Sequence, residues 1–230
     1  MSYRSLNIPV CKIRELPHIC KIKSNIKNII FDLGGVLLNI DYQKTITSIE
    51  HCAGMSLQNL YSKEQQDVLF DDFECGRCNA AQFIAALSEK LRYKGPEQHL
   101  IDAWNAMLLD MPEERLELLV ELNSQYRIFL LSNTNALHRA AFDTLLYRQN
   151  GVRRLADYFE HVYYSHEIGL RKPDLEVFKY VLQHSELKAS ETLFIDDSLV
   201  HCKAAGTLGI SAHWMSPHQD LMTMANALNL

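Results

Sequence analysis

The sequence predicts an α/β fold, a doubly wound Rossmann-like parallel sheet with an inserted α-helical cap domain. Three observations support this prediction. Short apolar runs recur along the chain, helical patterns separate them, and residues 42–110 contain no convincing strand. Continuous apolar runs are typical of parallel strands that are covered on both faces. Strands that alternate with helices imply right-handed crossovers and a doubly wound sheet.

The first predicted strand runs from Asn28 to Leu33, and two glycines close it. A short apolar run that ends in glycines indicates a buried strand rather than a helix. Later runs have the same aliphatic and aromatic character and are predicted to join the same sheet. They are residues 127–131, 161–164, 192–195 and 209–212.

The segment between the first two strands gives amphipathic helical patterns. From Ala80 to Leu91, apolar residues recur on one helical face, and Asn79 is a suitable N-cap. Ligands of open α/β sheets bind outside the carboxyl ends of the strands. An insertion just after the first strand would stand over that place, which predicts a lid or cap. We therefore predict an N-terminal extension (residues 1–26), a core domain (27–41 and 111–230) and a helical cap domain (42–110).

The composition excludes several classes of protein. The 230 residues are 47% hydrophobic and 22% charged, which is typical of a globular domain. A net charge of -5 gives no reason to expect binding to nucleic acid, and no apolar run approaches the roughly 20 residues that span a bilayer. We predict a cytoplasmic protein, a monomer or homodimer, whose six cysteines are reduced thiols. The C-x-x-C pair Cys75 and Cys78 lacks a second pair nearby and is interpreted as chance.

Polar side chains follow the predicted strands at one edge of the sheet. Asp32 ends the first strand, Ser132 follows the second, and Asp196 and Asp197 end the fourth, while Lys172 follows the third after a short loop. Two adjacent carboxylates repel each other unless a cation is present. Mg²⁺ prefers oxygen ligands and bridges carboxylates to a substrate phosphate. A strand-end aspartate is placed as a nucleophile toward a neutralised phosphate.

Four segments in this order resemble the motifs of the haloacid-dehalogenase-like hydrolase superfamily. They are FDLGGVL at residues 31–37, LSNTN at 131–135, RKPD at 171–174 and IDDS at 195–198. The resemblance covers about residues 27–215 and is strongest to bacterial sugar-phosphatase-like members, which include α-D-glucose-1-phosphate phosphatases. It implies a Mg²⁺-dependent phosphatase that acts on a small phosphorylated metabolite, with a sugar phosphate as the expected substrate.

The resemblance also implies roles for individual residues. Asp32 would be the nucleophile that forms an aspartyl-phosphate intermediate, and Asp32 and Asp197 would ligate Mg²⁺ directly. Asp196 would act through water, and the backbone carbonyl of Gly34 would be a further ligand.

Three residues would contact the phosphate. Lys172 would stabilise its charge, and the Ser132 hydroxyl and the backbone N–H of Asn133 would donate hydrogen bonds to it. The implied catalytic residues are therefore Asp32, Lys172 and Ser132, and the implied substrate-binding residues are Ser132, Asn133 and Lys172.

Two departures from the family pattern leave alternatives open. Gly34 stands where such phosphatases usually carry the general-acid aspartate, and His201 stands where asparagine is common. His201 would either keep a hydrogen bond to the site or weaken the positioning of the metal. Asp41 would be either a proton donor or a solvated linker residue, and Arg77 either a substrate contact or a solvated side chain.

Two alternative functions are considered. One is a weak or inactive binding relative of the family. The other is a metal-independent carbon–halogen hydrolase, which the paired aspartates disfavour.

Overall fold

The computed structural model describes residues 25–55, 67–217, 219–228 and 230, so most of the predicted N-terminal extension lies outside the described residues. Five strands form the sheet of this part of the chain: β1 (Asn28–Phe31), β2 (Arg127–Ser132), β3 (His161–Tyr164), β4 (Thr192–Asp196) and β5 (Ser211–Trp214). Within the described residues, four helices follow β1 and form the insertion: α1 (Tyr42–Ala53), α2 (Val68–Glu74), α3 (Ala80–Lys90) and α4 (Glu97–Asn105). The remaining helices flank the sheet: α5 (Glu113–Asn123), α6 (Ala136–Asn150), α7 (Ser165–Ile168), α8 (Leu175–His184), α9 (Leu199–Thr207) and α10 (Leu221–Leu228).

The sheet is parallel and has the strand order β3-β2-β1-β4-β5. β1 lies in its centre, where Phe31 is paired with Leu130 of β2 and with Ile195 of β4. Asp32, the next residue, therefore emerges from the middle of the carboxyl edge. The predicted α/β doubly wound fold is confirmed.

Alternate residues of the central strands enter two separate hydrophobic clusters. Ile29 and Phe31 belong to the cluster that also contains residues of α5, α6 and α10. Ile30 and Phe129 belong to the cluster that contains residues of α8 and α9. Successive side chains of a strand point to opposite faces of the sheet, so both faces are covered, as the unbroken apolar runs predicted.

The fifth predicted strand, residues 209–212, is shifted in the structure. Gly209 has a left-handed φ of +84° directly after α9, which is a conformation that glycine adopts readily. Ladder pairing begins with Ser211 opposite Leu193 and continues to Trp214. Because the chain is still turning at Gly209, the strand starts two residues later than the apolar pattern suggests.

Helices α1–α4, called the cap below, have a hydrophobic core of their own. Phe70 stacks on Trp104 at a centroid distance of 5.4 Å, and Phe73 stacks on Phe83 at 4.1 Å. These aromatic side chains are all buried. Helix α3 begins at the predicted N-cap Asn79, which forms a capping box with Gln82. The helical character of the insertion agrees with the prediction, and its division from the core domain at residues 42 and 110 stays a prediction.

The two chain segments that join the cap to the sheet domain lie side by side. Ile40 and Leu108 form an antiparallel bridge, and the backbone N–H of Asn39 donates to the carbonyl of Asp110 at 2.8 Å. Asp41 is the N-cap of α1, since its carboxylate accepts a hydrogen bond from the backbone N–H of Gln43 at 2.9 Å. Helix capping accounts for an aspartate at this position, and no role in proton transfer is needed to explain it.

A buried histidine links α6 to the cap. His138 Nε2 lies 3.2 Å from the carbonyl oxygen of Trp104, and the two rings stack at 4.9 Å. Because a carbonyl only accepts, Nε2 carries the hydrogen, and the amide of Asn135 donates to Nδ1 at 3.1 Å. Burial lowers the pKa of His138 to about 4, although the hydrogen bond to Trp104 opposes the shift. No helix in the described part of the chain is long and apolar enough to cross a membrane.

The buried neutral histidine predicts a loss of stability in acid. Below the ordinary pKa of 6.5, His138 is protonated in the unfolded chain, whereas in the folded chain it stays neutral down to about pH 4. The free energy of unfolding therefore decreases as the pH is lowered. From pH 7 to 5 this one group should remove about 2 kcal/mol. The variant His138→Gln should lack this contribution in urea unfolding at the two pH values.

His99, an exposed residue of α4, provides the matched control. The variant His99→Gln should keep the pH dependence of the wild type, because solvent reaches this side chain in the folded and unfolded chains alike. Equal pH dependence in wild type and His138→Gln would contradict the assignment.

Candidate active site

The predicted strand-end residues converge on one buried ammonium group. Lys172 Nζ lies 2.8 Å from Asp32 Oδ1 and 2.7 Å from Asp196 Oδ2. It also donates to the carbonyl oxygen of Leu131 at 2.8 Å. Asp32 directly follows β1, Asp196 belongs to β4 and Leu131 to β2. Lys172 itself is 0% exposed. Burial by itself lowers the pKa of Lys172, but the Asp196 and Asp32 carboxylates outweigh it and leave the pKa raised.

Asn133 holds the backbone on which Lys172 is carried. Its side-chain amide donates to the carbonyl of Lys172 at 2.8 Å, and its Oδ1 accepts from the N–H of Lys172 at 2.9 Å. One amide side chain thereby satisfies both the backbone N–H and the backbone carbonyl of Lys172. Asn133, predicted from sequence as a substrate contact through its backbone N–H, thus also has a positioning function that the sequence analysis missed.

Asp196 is surrounded by hydrogen-bond donors. It accepts from Lys172, from the backbone N–H of Ser198 at 2.7 Å, and from His201 Nδ1, which lies 3.0 and 3.1 Å from its two oxygens. Burial alone would raise the pKa of Asp196, but Lys172 and His201 hold it well below its usual range. Of the two expectations for His201, the structure supports the retained hydrogen bond.

Asp197, the adjacent residue, packs against the turn that follows Asp32. A Cβ built on Gly35 would lie 2.2 Å from Asp197 Oδ2, and Gly35 has a φ of +77°. Both facts require glycine at this position. The close approach brings the Asp197 carboxylate beside the Asp32 turn, and both carboxylates border the same cleft.

The charges around Asp32 favour a cation. Burial raises the pKa of Asp32, and the Asp196 and Asp197 carboxylates raise it further, while Lys172 lowers it. Ligand atoms of Asp32, Asp196 and His201 lie within 4.8 Å of one another. A set dominated by carboxylate oxygens suits Mg²⁺, and a divalent cation would relieve the repulsion that raises the Asp32 pKa.

The site opens into a cleft that residues of both the sheet domain and the cap line. Ser132 and Asn133 border the cleft beside Asp32, as does Gly34. The lining also includes residues that the sequence analysis did not select: Tyr42, Glu74, Met107, Leu108, His138, Phe142 and Arg171. Arg77, which was selected, has a side chain that is 54% exposed and pairs with Asp72 at 2.6 Å. The solvated alternative for Arg77 therefore fits the structure.

Curated relatives include an enzyme that acts on a phosphorylated sugar alcohol. The D-ribitol-5-phosphate phosphatase of Bacteroides thetaiotaomicron is 28% identical over 184 residues, which are 80% of this chain and 89% of that enzyme. The similarity therefore spans nearly the whole length of the relative.

Solved structures share the same architecture. A haloacid-dehalogenase (HAD) family enzyme from Bacteroides thetaiotaomicron, in complex with magnesium and inorganic phosphate, has a TM-score of 0.82 and 33% identity, covering 86% of this chain and 98% of that one. A predicted HAD-like family hydrolase from Porphyromonas gingivalis has a TM-score of 0.80 and 28% identity, covering 90% and 98%. The ions of the first structure agree with the predicted cofactor and substrate group.

A family model described as haloacid dehalogenase-like hydrolase matches residues 26–209. The match contains all four motifs on which the resemblance was based, and it includes the helical insertion. The prediction of the superfamily and of a hydrolase is confirmed. The chain belongs to the haloacid-dehalogenase-like hydrolase family.

Proposed function

We propose that this protein is a Mg²⁺-dependent phosphatase for a small phosphorylated sugar or sugar alcohol and works through an aspartyl-phosphate on Asp32. The observation that carries the proposal is the convergence of Asp32 and Asp196 on the fully buried Lys172, in a cluster that reaches the cleft through Asp32. A buried charge cluster that opens into a cleft is characteristic of a catalytic site. The phosphatase named among the relatives supports the class of substrate.

The proposed reaction has two displacements at phosphorus. A carboxylate oxygen of Asp32 attacks the phosphorus atom, and the bond from phosphorus to the leaving alkoxide breaks. The alkoxide takes a proton from solvent water and leaves as the alcohol. Water then attacks the aspartyl-phosphate and returns a proton to solvent, which releases inorganic phosphate and the Asp32 carboxylate. A covalent intermediate divides one difficult step into two easier ones.

Residues on the cleft floor would hold the substrate phosphate and the cation. Asp32, Asp197 and the carbonyl of Gly34 would hold Mg²⁺, with Asp196 acting through water. When bound, Mg²⁺ supplies positive charge that neutralises the phosphate. Lys172 keeps its ammonium beside Asp32, and Ser132 with the Asn133 N–H would donate hydrogen bonds to phosphate oxygens.

The domain roles are part of the proposal. We infer that the cap (within residues 42–110) covers the site that the core domain (27–41 and 111–230) carries. The leaving group would then occupy the space between Tyr42 and Glu74 on one side and Phe142 on the other. A cytoplasmic location and a monomeric or homodimeric state remain predictions of the sequence.

Gly34 distinguishes the leading function from its alternative. General-acid catalysis contributes about 10²–10⁴-fold, and glycine has no side chain to provide it. A weak or inactive binding protein is the alternative that this observation favours. It differs from the proposal in one measurable way, because it predicts phosphate binding without turnover.

We expect Mg²⁺-dependent release of phosphate from D-ribitol 5-phosphate, and a loss of at least about 10³-fold in kcat for Asp32→Asn, because the nucleophile is removed. Acid quenching during turnover of ³²P-labelled substrate should trap labelled wild-type protein and no labelled variant. The control is Asp41→Asn, since asparagine caps a helix as well as aspartate, and its activity should match the wild type. If the wild type released no phosphate from any member of a broad panel of phosphometabolites, the proposal would be wrong.

Lys172→Met should damage both stability and turnover. Removing the ammonium leaves Asp32 and Asp196 buried without their shared cation, and breaking such a pair costs about 3–5 kcal/mol. Urea unfolding in chelator measures this loss. Lys179 pairs with Glu176 on the surface at 2.6 Å, and Lys179→Met should cost less than about 1 kcal/mol. Similar losses for the two variants would refute the buried-pair assignment.

Gly34→Asp tests whether a missing proton donor limits the rate. A side chain at residue 34 would contact Ile40 Cδ1, which a Cβ would approach to 2.9 Å, so the flexible end of Ile40 must move. We expect kcat for D-ribitol 5-phosphate to rise by at least about tenfold. The rate for p-nitrophenyl phosphate should not change, because nitrophenolate leaves without a proton. Gly34→Asn is the control, and equal gains for Asp and Asn would exclude proton transfer as the cause.

A further inference from the structure

We propose that Glu74 determines which leaving group the site accepts. Its carboxylate accepts hydrogen bonds from hydroxyl groups of the substrate and repels leaving groups that carry a carboxylate or a second phosphate. This inference rests on the proposed phosphatase function, which it narrows to monophosphates with a neutral, hydroxyl-rich leaving group.

Glu74 lies on the cap side of the same cleft as the reacting groups. It is the last residue of α2, is 8% exposed, and borders the cleft together with Asp32 and Asp197. Tyr42, also on the cap side, borders the same cleft. Glu74 therefore lines the part of the cleft where the proposed reaction would place the leaving group.

Arg171 orients the Glu74 carboxylate from the opposite side of the cleft. Its Nη2 lies 3.1 Å from Glu74 Oε2, and the Arg171 side chain is itself mostly buried. A second ion pair joins Arg171 to Asp71, one turn earlier in α2. Because Arg171 directly precedes Lys172, the anchor of Glu74 is attached to the catalytic loop. A carboxylate can accept about four hydrogen bonds, so this ion pair is compatible with simultaneous acceptance from hydroxyl groups.

The charge of the cleft disfavours a second anionic group. Among the lining residues, Asp32, Glu74 and Asp197 are carboxylates, whereas Arg171 is the guanidinium. Mg²⁺ and Lys172 would be engaged with the transferred phosphate in the proposed reaction, and Arg171 is already paired with Glu74 and Asp71. A carboxylate on the leaving group would therefore add a further negative charge beside Glu74, and like charges at short range are a strong basis for rejection.

A purely structural role for Glu74 makes a different prediction. If Glu74 only ties the cap to the catalytic loop through Arg171, its removal should lower kcat/KM for all substrates equally. If its carboxylate selects the leaving group, its removal should change the order of the kcat/KM values among substrates. This change of order separates the two roles.

The experiment compares kcat/KM, with Mg²⁺, for three phosphate monoesters. D-ribitol 5-phosphate offers hydroxyl groups, D-ribonate 5-phosphate replaces the terminal hydroxymethyl group by a carboxylate, and p-nitrophenyl phosphate offers neither. The variants are Glu74→Gln and, as the matched control, Glu89→Gln at an exposed glutamate of α3. Thermal unfolding of each variant confirms that it is folded.

We expect the wild type to favour the ribitol ester over the ribonate ester by about 100-fold or more. Glu74→Gln should lower kcat/KM for the ribitol ester by about 10- to 100-fold, as expected for a lost hydrogen bond to a charged group. It should also raise kcat/KM for the ribonate ester and leave p-nitrophenyl phosphate within about threefold. Glu89→Gln should behave as the wild type.

Two results would overturn the inference and leave the phosphatase standing: no wild-type preference between the two sugar-derived esters, or an equal loss on all three substrates in a folded Glu74→Gln variant. If that variant does not fold, the wild-type preference alone decides. Wild-type protein that is silent on all three esters with Mg²⁺ removes the proposed function itself, and the inference with it.

Discussion

The structure depends on one buried cation. Lys172 Nζ is held between Asp32, Asp196 and the Leu131 carbonyl, and no solvent reaches it. A charge so far from water is tolerated only when several acceptors surround it. Its three acceptors stand at the ends of three different strands, so the ammonium is satisfied only when β1, β2 and β4 are in register. The same contact that requires a complete sheet also places the candidate nucleophile beside a positive charge.

The two adjacent aspartates Asp196 and Asp197 have different surroundings around this buried cation. Asp196 is the last residue of β4 and accepts hydrogen bonds from Lys172, Ser198 and His201. Asp197 is the next residue, packs on Gly35 and borders the cleft. One carboxylate organises the buried cluster, and the other borders the cleft.

Much of this arrangement could be predicted from sequence because parallel strands all end at one edge. Apolar runs predicted the strands, and the residues after them, Asp32, Ser132 and Lys172, do meet there. Contacts between the cap and the sheet domain could not be predicted in this way. Arg171 and Asp71 are 100 residues apart in the sequence. The periodicity of apolar residues within a helix or strand carries no information about a pair so far apart. In this part of the cap the sequence analysis selected Arg77, whereas the fold brings Glu74 to the cleft.

The cap is attached to the sheet domain by contacts of two physical kinds. The stack of His138 on Trp104 and the approach of Gly76 to the His166 carbonyl, where a Cβ would lie 2.2 Å away, are uncharged and shape-dependent. The ion pairs of Arg171 with Glu74 and Asp71 are charged and lie beside the cleft. Arg171 adjoins Lys172, so the residue that pairs with the cap and the residue that holds Asp32 share one peptide bond. A contact with the leaving group at Glu74 and the charge beside the nucleophile therefore depend on the same short segment of the sheet domain.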